Sequence, residues 1–376
     1  MVILTTCPNC AAPLAHNAPR CGICKTRYCG RDCQEQHWKQ GGHKAICEEI
    51  KRGGGAEQYH ADKKLKEAVA VAAEACAEDT KGQTCFICTQ ALHWKTKEGL
   101  VRGCACRGTA GFAHVSCLAE QAKILVAEAE ENNLGIDAWN KRWKRWYSCS
   151  MCEQEYHGVV QCALAWACWK TYLGRPETDW ARQFAMNLLG NGLSCAKRHE
   201  ESLSVKEADL ATMRRVGASE KDLLTTQSNL VTSYKDLGRH EFLPLRQEVY
   251  SGSVKIFGEE HKETLLEAFN YANDLFDLQR FKEARSLLRK TIPKARRVLG
   301  ESNETTLKMR KIYAIVLCIT TGATLDDARE AVTTLEDAER ISRRVLGSAH
   351  PLTTGFAQPL RNARAALRAR DTPSTR

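Results

Sequence analysis

The sequence predicts a mainly α-helical chain, with two small metal-stabilised modules followed by an α-solenoid of helix-turn-helix repeats. Three observations predict it. Fifteen of the 19 cysteines precede residue 153. Beyond residue 180 apolar residues fall at helical spacing, as in EAFNYANDLFDLQRFKEARSLLRKTIPKARRVLG. Glycines punctuate that half at 217, 258, 300 and 347, gaps of 41, 42 and 47 residues, as stacked repeats require. A chain of 376 residues exceeds what one core organises, so several domains are expected.

The first Cys-x-x-Cys begins at Cys7 in MVILTTCPNC, leaving no room for a basic region and an apolar signal core. A cytoplasmic or nuclear location is expected, where clustered cysteines point to metal rather than disulfides. The most apolar stretch, VVQCALAWACWKTYL from Val159, is broken by Lys170 and too short for a bilayer, so no membrane partner is expected. The formal charge of +10, from 55 basic and 45 acidic residues, favours acidic partners only mildly. In WNKRWKRW, Trp139, Trp143 and Trp146 share one helical face, with Lys141, Arg142, Lys144 and Arg145 largely off it. A buried tryptophan stripe is the leading reading of that run. A nucleic-acid or acidic-peptide contact, made by aromatic stacking beside cations, is the secondary one.

The first module runs from Cys7 to Cys47, with candidate ligands Cys7, Cys10, Cys21, Cys24, Cys29, Cys33, His43 and Cys47. Eight soft or borderline ligands arranged in pairs suit two tetrahedral zinc ions. His43 and Cys47 are spaced i, i+4, one turn of a helix. The stretch YCGRDCQEQHWKQGGHKAIC resembles the MYND zinc finger. The resemblance implies interleaved ligands: Cys7, Cys10, Cys29 and Cys33 on one zinc, Cys21, Cys24, His43 and Cys47 on the other. Four residues separate Trp38 from His43, which leaves His37 as a rival ligand. The family docks short, often proline-containing peptides.

The second module has the ligand order Cys85, Cys88, Cys104, Cys106, His114, Cys117, Cys149, Cys152, again enough for two zinc ions. One residue separates the third and fourth ligands, and seven precede His114. With CxCRGT, HxxCL and Trp146 shortly before the last pair, residues 85–152 resemble the RING-CH (variant RING) domain rather than a PHD finger. The resemblance implies Cys85, Cys88, His114 and Cys117 on one zinc and Cys104, Cys106, Cys149 and Cys152 on the other. The 31 residues between Cys117 and Cys149 read as helical and are expected to be surface structure. Gly108 and Gly111 permit tight turns between ligands.

All four inferred zinc sites have four protein ligands, the mark of structural rather than catalytic metal. Structural zinc contributes roughly 10–16 kcal/mol of folding free energy in finger peptides, so chelation is expected to unfold residues 1–157 and spare most of the chain beyond them. Cys76, Cys162, Cys168, Cys195 and Cys318 read as buried small hydrophobes. No Gly-rich phosphate loop is present.

After GRPETDW the repeat begins. Its markers are His199 in KRHEESL, His240 in GRHEFLPL and Phe281 in QRFKEARSL. The unit resembles the tetratricopeptide repeat in the longer form of kinesin-light-chain-like arrays, over roughly residues 180–365. Such arrays stack units into a solenoid whose concave side holds a peptide or partner helix. By that resemblance Asn229, Asn270 and Asn273 are candidate groove residues.

The expected domains are a MYND-type finger (1–50), a helical linker (51–84), a RING-CH-type finger (85–157) with a helical insertion (118–146), a connecting helix (158–179), a TPR-like solenoid (180–367) and a disordered tail (368–376). The resemblances imply a zinc-dependent ubiquitin ligase of RING-CH type. It would recruit a ubiquitin-conjugating enzyme, with Ile87 as the aliphatic contact before the second ligand, while the other modules bind substrate proteins or peptides. Two departures weigh against full activity: Glu153 where active members often carry a basic residue, and Ser150-Met151 where proline is common. The alternative is a non-catalytic adaptor. Membrane-anchored RING-CH ligases carry transmembrane helices after the last ligand, and membership of that subclass is not expected here. A MYND methyltransferase would need an Asn-His-(Ser/Cys)-x-x-Pro-Asn motif, and none exists.

Overall fold

The computed structural model describes residues 6–12, 14, 18–239, 242–348 and 350–371. The repeat marker His240 lies outside them. The described residues are mainly helical, and their only extended pairings are the isolated bridges Arg20–Arg27, Val101–Ala113 and Ser148–Glu155. The chain forms two compact units, 1–218 and 219–376.

The first unit contains α1 (Arg31–Lys39), α2 (His43–Arg52), α3 (Ala56–Ala75), α4 (Val115–Glu131), α5 (Ile136–Trp143) with a 3-10 turn (Lys144–Trp146), α6 (Gly158–Tyr172), α7 (Trp180–Cys195) and α8 (His199–Arg215). At its centre is α6. Its sequence GVVQCALAWACWKTY has apolar residues on every side, so it can only be stable when surrounded. It packs against α3, α4 and α7. On α3 the contact face is an alanine stripe, Ala61, Ala68 and Ala72. The segment after the GGG of residues 53–55 is therefore a core helix.

The stretch between Cys117 and Cys149 departs from the surface structure expected of it. Leu118, Ala122, Val126 and Ala129 of α4 are buried at helical spacing, as are Trp139, Trp143 and Trp146. Trp139 stacks on Trp143 at 4.9 Å, and Trp143 and Trp146 both meet Tyr172 at the end of α6. Burial of these faces against α6 and against Phe184 of α7 explains why so long a sequence stands between metal ligands. It also removes the nucleic-acid reading, since the indoles have no free face for a base. Arg175 holds the end of α4 through a bidentate pair with Glu130, both contacts 2.8 Å.

The second unit contains α9 (Glu220–Asp236), α10 (Phe242–Phe257), α11 (Lys262–Asp277), α12 (Phe281–Val298), α13 (Glu304–Ile319), α14 (Leu325–Leu346), α15 (Pro351–Thr354) and α16 (Ala357–Asp371). Each long helix packs on its chain neighbour, and α11 also meets α13, the stacking of successive repeats in a solenoid. The glycine repeat now has a physical basis. Gly258, Gly300 and Gly347 are left-handed, with φ between 82° and 93°. Three residues after each, His261, Asn303 and His350 accept a backbone N–H at the start of the next helix, a capping role that replaces missing helical bonds. Arg246 on α10 is buried between Asp274 and Glu267 of α11, at 2.8 and 3.1 Å. Helix α16 continues through Asp371, so the expected tail is helical at residues 368–371; residues 372–376 lie outside the described residues. No helix among the described residues is long and apolar enough to cross a membrane.

The close approach of α6 and α7 depends on Gly192. A Cβ there would lie 2.6 Å from the Ala165 Cβ and 3.2 Å from the backbone of Gln161 and Cys162. Gly192→Ala is expected to destabilise the first unit by about 1–3 kcal/mol, the usual cost of overpacking. All eight tryptophans precede residue 219, so tryptophan-detected denaturation reads that unit. An unchanged midpoint would contradict the packing account.

Candidate metal centres

Four Cys-x-x-Cys segments, at Cys7, Cys21, Cys85 and Cys149, form one turn built four times. In each, the N–H of the first cysteine donates to the carbonyl five residues on: Ala12, Thr26, Gln90 and Gln154, at 2.7–3.0 Å. The residue after the second cysteine returns its N–H to the first cysteine's carbonyl, at 2.8–3.1 Å. That residue, Ala11, Lys25, Thr89 or Glu153, is left-handed with φ of 57–64°. Inside the turn, backbone N–H groups reach the leading sulfur, as from Ile87 to Cys85 and from Met151 to Cys149, both 3.4 Å. Both cysteine side chains therefore face one point, and the residue before the second cysteine faces out.

Four clusters result: Cys7, Cys10, Cys29 and Cys33; Cys21, Cys24, His43 and Cys47; Cys85, Cys88, His114 and Cys117; Cys104, Cys106, Cys149 and Cys152. Within each, all ligand atoms lie within 4.8 Å of one another. A tetrahedral zinc with sulfur at about 2.3 Å separates two sulfurs by about 3.8 Å, and a sulfur from an imidazole nitrogen by about 3.5 Å. Cys21–Cys47 and Cys106–Cys149 are both 3.8 Å apart. Cys10–Cys29 and Cys29–Cys33 are 3.4 Å. Nitrogen–sulfur distances are 3.4 Å for His43–Cys24, and 3.3 and 3.6 Å for His114 to Cys88 and Cys117. These separations exclude disulfides, which need about 2.05 Å. The donor sets fit zinc, four protein ligands to a site. In both modules successive ligand pairs alternate between clusters, so neither site can form without closing a loop around the other.

Of the two rival histidines, His43 enters a cluster and His37 does not. The Nδ1 of His37 lies 3.0 Å from the hydroxyl of fully buried Tyr28, and its ring stacks on His43 at 5.2 Å. His114 presents Nδ1 to the sulfurs and Nε2 to the Ala91 carbonyl at 3.3 Å, the outer contact that orients a ligating imidazole. Gly111, with φ of 83°, sits so close to Cys106 that a Cβ would lie 2.6 Å from its Cβ.

Without metal the thiols titrate far apart. Burial pushes Cys106 up to about 11 and Cys47 up to about 12. Burial also opposes ionisation of Cys7, but N–H groups of Cys29, Cys10 and Asn9 outweigh it and bring that thiol down to about 6. Zinc must displace protons from the high-titrating sulfurs, so its affinity falls as pH falls.

The remaining candidates fall elsewhere. Ile87 is 37% exposed at the tip of its turn. Glu153 pairs with Arg145 at 2.7 Å. Asn273 lines a groove of about 410 Å³ with Phe269, Lys308, Lys311, Ile312 and His350. Asn270 sits 3.4 Å from the Glu267 carboxylate, and Asn229 lies on α9. Cys76, Cys162 and Cys168 are buried, whereas Cys195 is exposed and Cys318 half-buried. That corrects the expectation for these two, which lie in the last turns of α7 and α13. Sequence reasoning missed a fifth turn at His93, with the same hydrogen bonds and no cysteine. No ligand spacing marks it.

The zinc clusters also start helices. Cys33 lies on α1, His43 and Cys47 on α2, and His114 immediately precedes α4. The first N–H of α3, on Ala56, donates to the Cys24 carbonyl at 3.0 Å. Since α3 and α4 pack on α6, chelation is expected to disorder the whole first unit, past the residue-157 limit read from sequence. Excess chelator should release four zinc ions and abolish the near-UV tryptophan signal, while a cooperative helical melt from the second unit survives. Retention of the tryptophan signal would sink this coupling.

Residues 7–47 match the MYND finger family, residues 85–133 the RING-variant domain and residues 270–304 the tetratricopeptide repeat. The RING-variant match ends inside the long stretch before Cys149 and Cys152. No curated protein matches the chain. Among solved structures, a putative kinesin light chain with nearly identical TPR-like repeats, from Podosopora anserina, is 21% identical over 50% of this chain and 88% of its own, with a TM-score of 0.43. A single-substitution variant of that protein scores 0.44 over the same shares and at the same identity. BtubC (BKLC) from P. vanneervenii is 12% identical over 68% of this chain and 87% of its own, with a TM-score of 0.41. The chain carries a MYND finger, a RING-variant domain and a tetratricopeptide repeat.

Proposed function

We propose that the chain is a zinc-dependent ubiquitin ligase of RING-CH type, working in the reducing cytoplasm or nucleus. The observation that carries this reading is the exposed Ile87 on a rigid turn of a RING-variant domain. Four zinc ions, held by the four clusters of cysteines and histidines, supply structure. The ligase contributes no nucleophile of its own. It binds a ubiquitin-conjugating enzyme and holds its ubiquitin thioester in a reactive pose, so rate comes from orientation. The Ile87 N–H is tied to the Cys85 sulfur, which fixes the backbone that carries its side chain. The MYND finger docks peptides, and the groove lined by Asn273, with Asn229 and Asn270 on the same set of first helices, receives substrate or partner protein.

Glu153 favours a second reading, a non-catalytic adaptor. It follows the last ligand, is held left-handed by its turn and neutralises Arg145. An anion stands where a cation would bridge enzyme and ubiquitin.

A discharge assay with zinc-loaded protein and a panel of charged conjugating enzymes separates the two. The ligase reading expects discharge by wild type, reduced about tenfold or more by Ile87→Ala and abolished by Cys85→Ala. Folded protein that discharges none of the panel supports the adaptor.

A further inference from the structure

Residues 93–98, HWKTKE, reproduce the zinc-knuckle turn without metal. The His93 N–H donates to the Glu98 carbonyl five residues on at 3.0 Å, and the Lys97 N–H returns to the His93 carbonyl at 2.9 Å. Lys97 is left-handed with φ of 59°, as are the residues after the four cysteine pairs. His93 and Thr96 occupy the two cysteine positions. The Thr96 N–H donates to His93 Nδ1 at 3.2 Å, and the Thr96 hydroxyl lies 2.8 Å from the same nitrogen. A hydrogen bond within the turn thus replaces the cation.

The turn is also fixed from outside. Glu98 accepts from the Ser116 N–H and hydroxyl at 2.7 and 2.9 Å, at the start of α4. The buried His93 ring packs 5.4 Å from that of His114. With His93 facing in, its two neighbours face out: Leu92 is 59% exposed and Trp94 is 69% exposed. Among the described residues, the ring that meets Trp94 is that of His93. Tryptophan is among the residue types enriched at interface hot spots, and a backbone fixed by its turn lowers the ordering cost of binding.

The exposed chain runs on from Ile87, since Thr89, Gln90, Ala91 and Leu92 are all exposed. Gln90 closes the Ile87 turn through Cys85, Ala91 accepts from His114, and Leu92 follows directly. A protein seated on Ile87 that extends along this exposed run meets Leu92 and then Trp94. We propose that Leu92 and Trp94 form a second anchor for the ubiquitin-conjugating enzyme and decide which such enzyme is accepted. The proposal rests on the ligase reading. Exposed Lys95 and Lys97 flank the indole, so the accepted enzyme carries carboxylates opposite them.

The test is isothermal titration of the zinc-loaded full chain with a panel of uncharged conjugating enzymes, using wild type, Ile87→Ala, Leu92→Ala and Trp94→Ala. Zinc content and melting temperature should be unchanged in the Leu92 and Trp94 variants, whose side chains contribute little to the core. Trp94→Ala is expected to weaken the accepted enzyme about tenfold or more and to narrow the differences among enzymes. Wild-type binding that Ile87→Ala weakens and Trp94→Ala leaves alone would overturn this anchor while keeping the ligase reading. Wild type that binds no enzyme would overturn both.

Discussion

Sulfurs crowded to between 3.4 and 3.8 Å repel one another once ionised, and only a cation among them makes such clusters favourable. The first unit depends on that constraint. Its first four helices start from, or carry, cluster residues: α1 holds Cys33, α2 holds His43 and Cys47, α3 begins on the Cys24 carbonyl and α4 begins beside His114. The apolar core formed around α6 supplies the rest. Helix faces as small as the alanine stripe of α3 bury little area, so they need their direction set by a fixed starting point.

How far this was legible in sequence differs from element to element. Cysteine pairs and the glycine punctuation are local features, and local turn chemistry reads directly: a ligand pair needs a turn, and a left-handed residue before a capping side chain needs glycine. The fold class and the zinc ions were accordingly visible. The placement of residues 118–146 was not. A stripe at helical spacing states that a face is buried but not against what, and the partner face on α6 is apolar all round and marks no direction. The His93 turn was invisible for a different reason. A hydrogen-bonded histidine and threonine do the work of two cysteines, and no spacing rule distinguishes that pair from ordinary loop composition.

The two zinc modules share one unit, which bears on how a ligase would use them. Across residues 53–55 the chain turns through two left-handed glycines, with φ of 87° and 94° at Gly54 and Gly55, and then enters α3, whose start is bonded to the first module and whose face is packed in the core. Glycines here make a sharp corner, not a tether. A peptide docked on the MYND finger would thus stand at a set distance from the Ile87 surface, and orientation is the only means by which such a ligase raises a rate.

Rigid presentation also explains why apolar residues can stand in water at the turn tips. Ile23, Ile87 and Met151 occupy the same place in three knuckles and are 43%, 37% and 52% exposed. In each knuckle, the hydrogen bonds that close the turn fix the backbone beneath the side chain, so little conformational freedom remains to be lost when a partner covers it. The cost of exposure is borne in the free protein, and binding gains most of the burial. The same geometry that closes a metal site therefore lowers the ordering cost for any protein that covers its tip, with or without a metal in the turn.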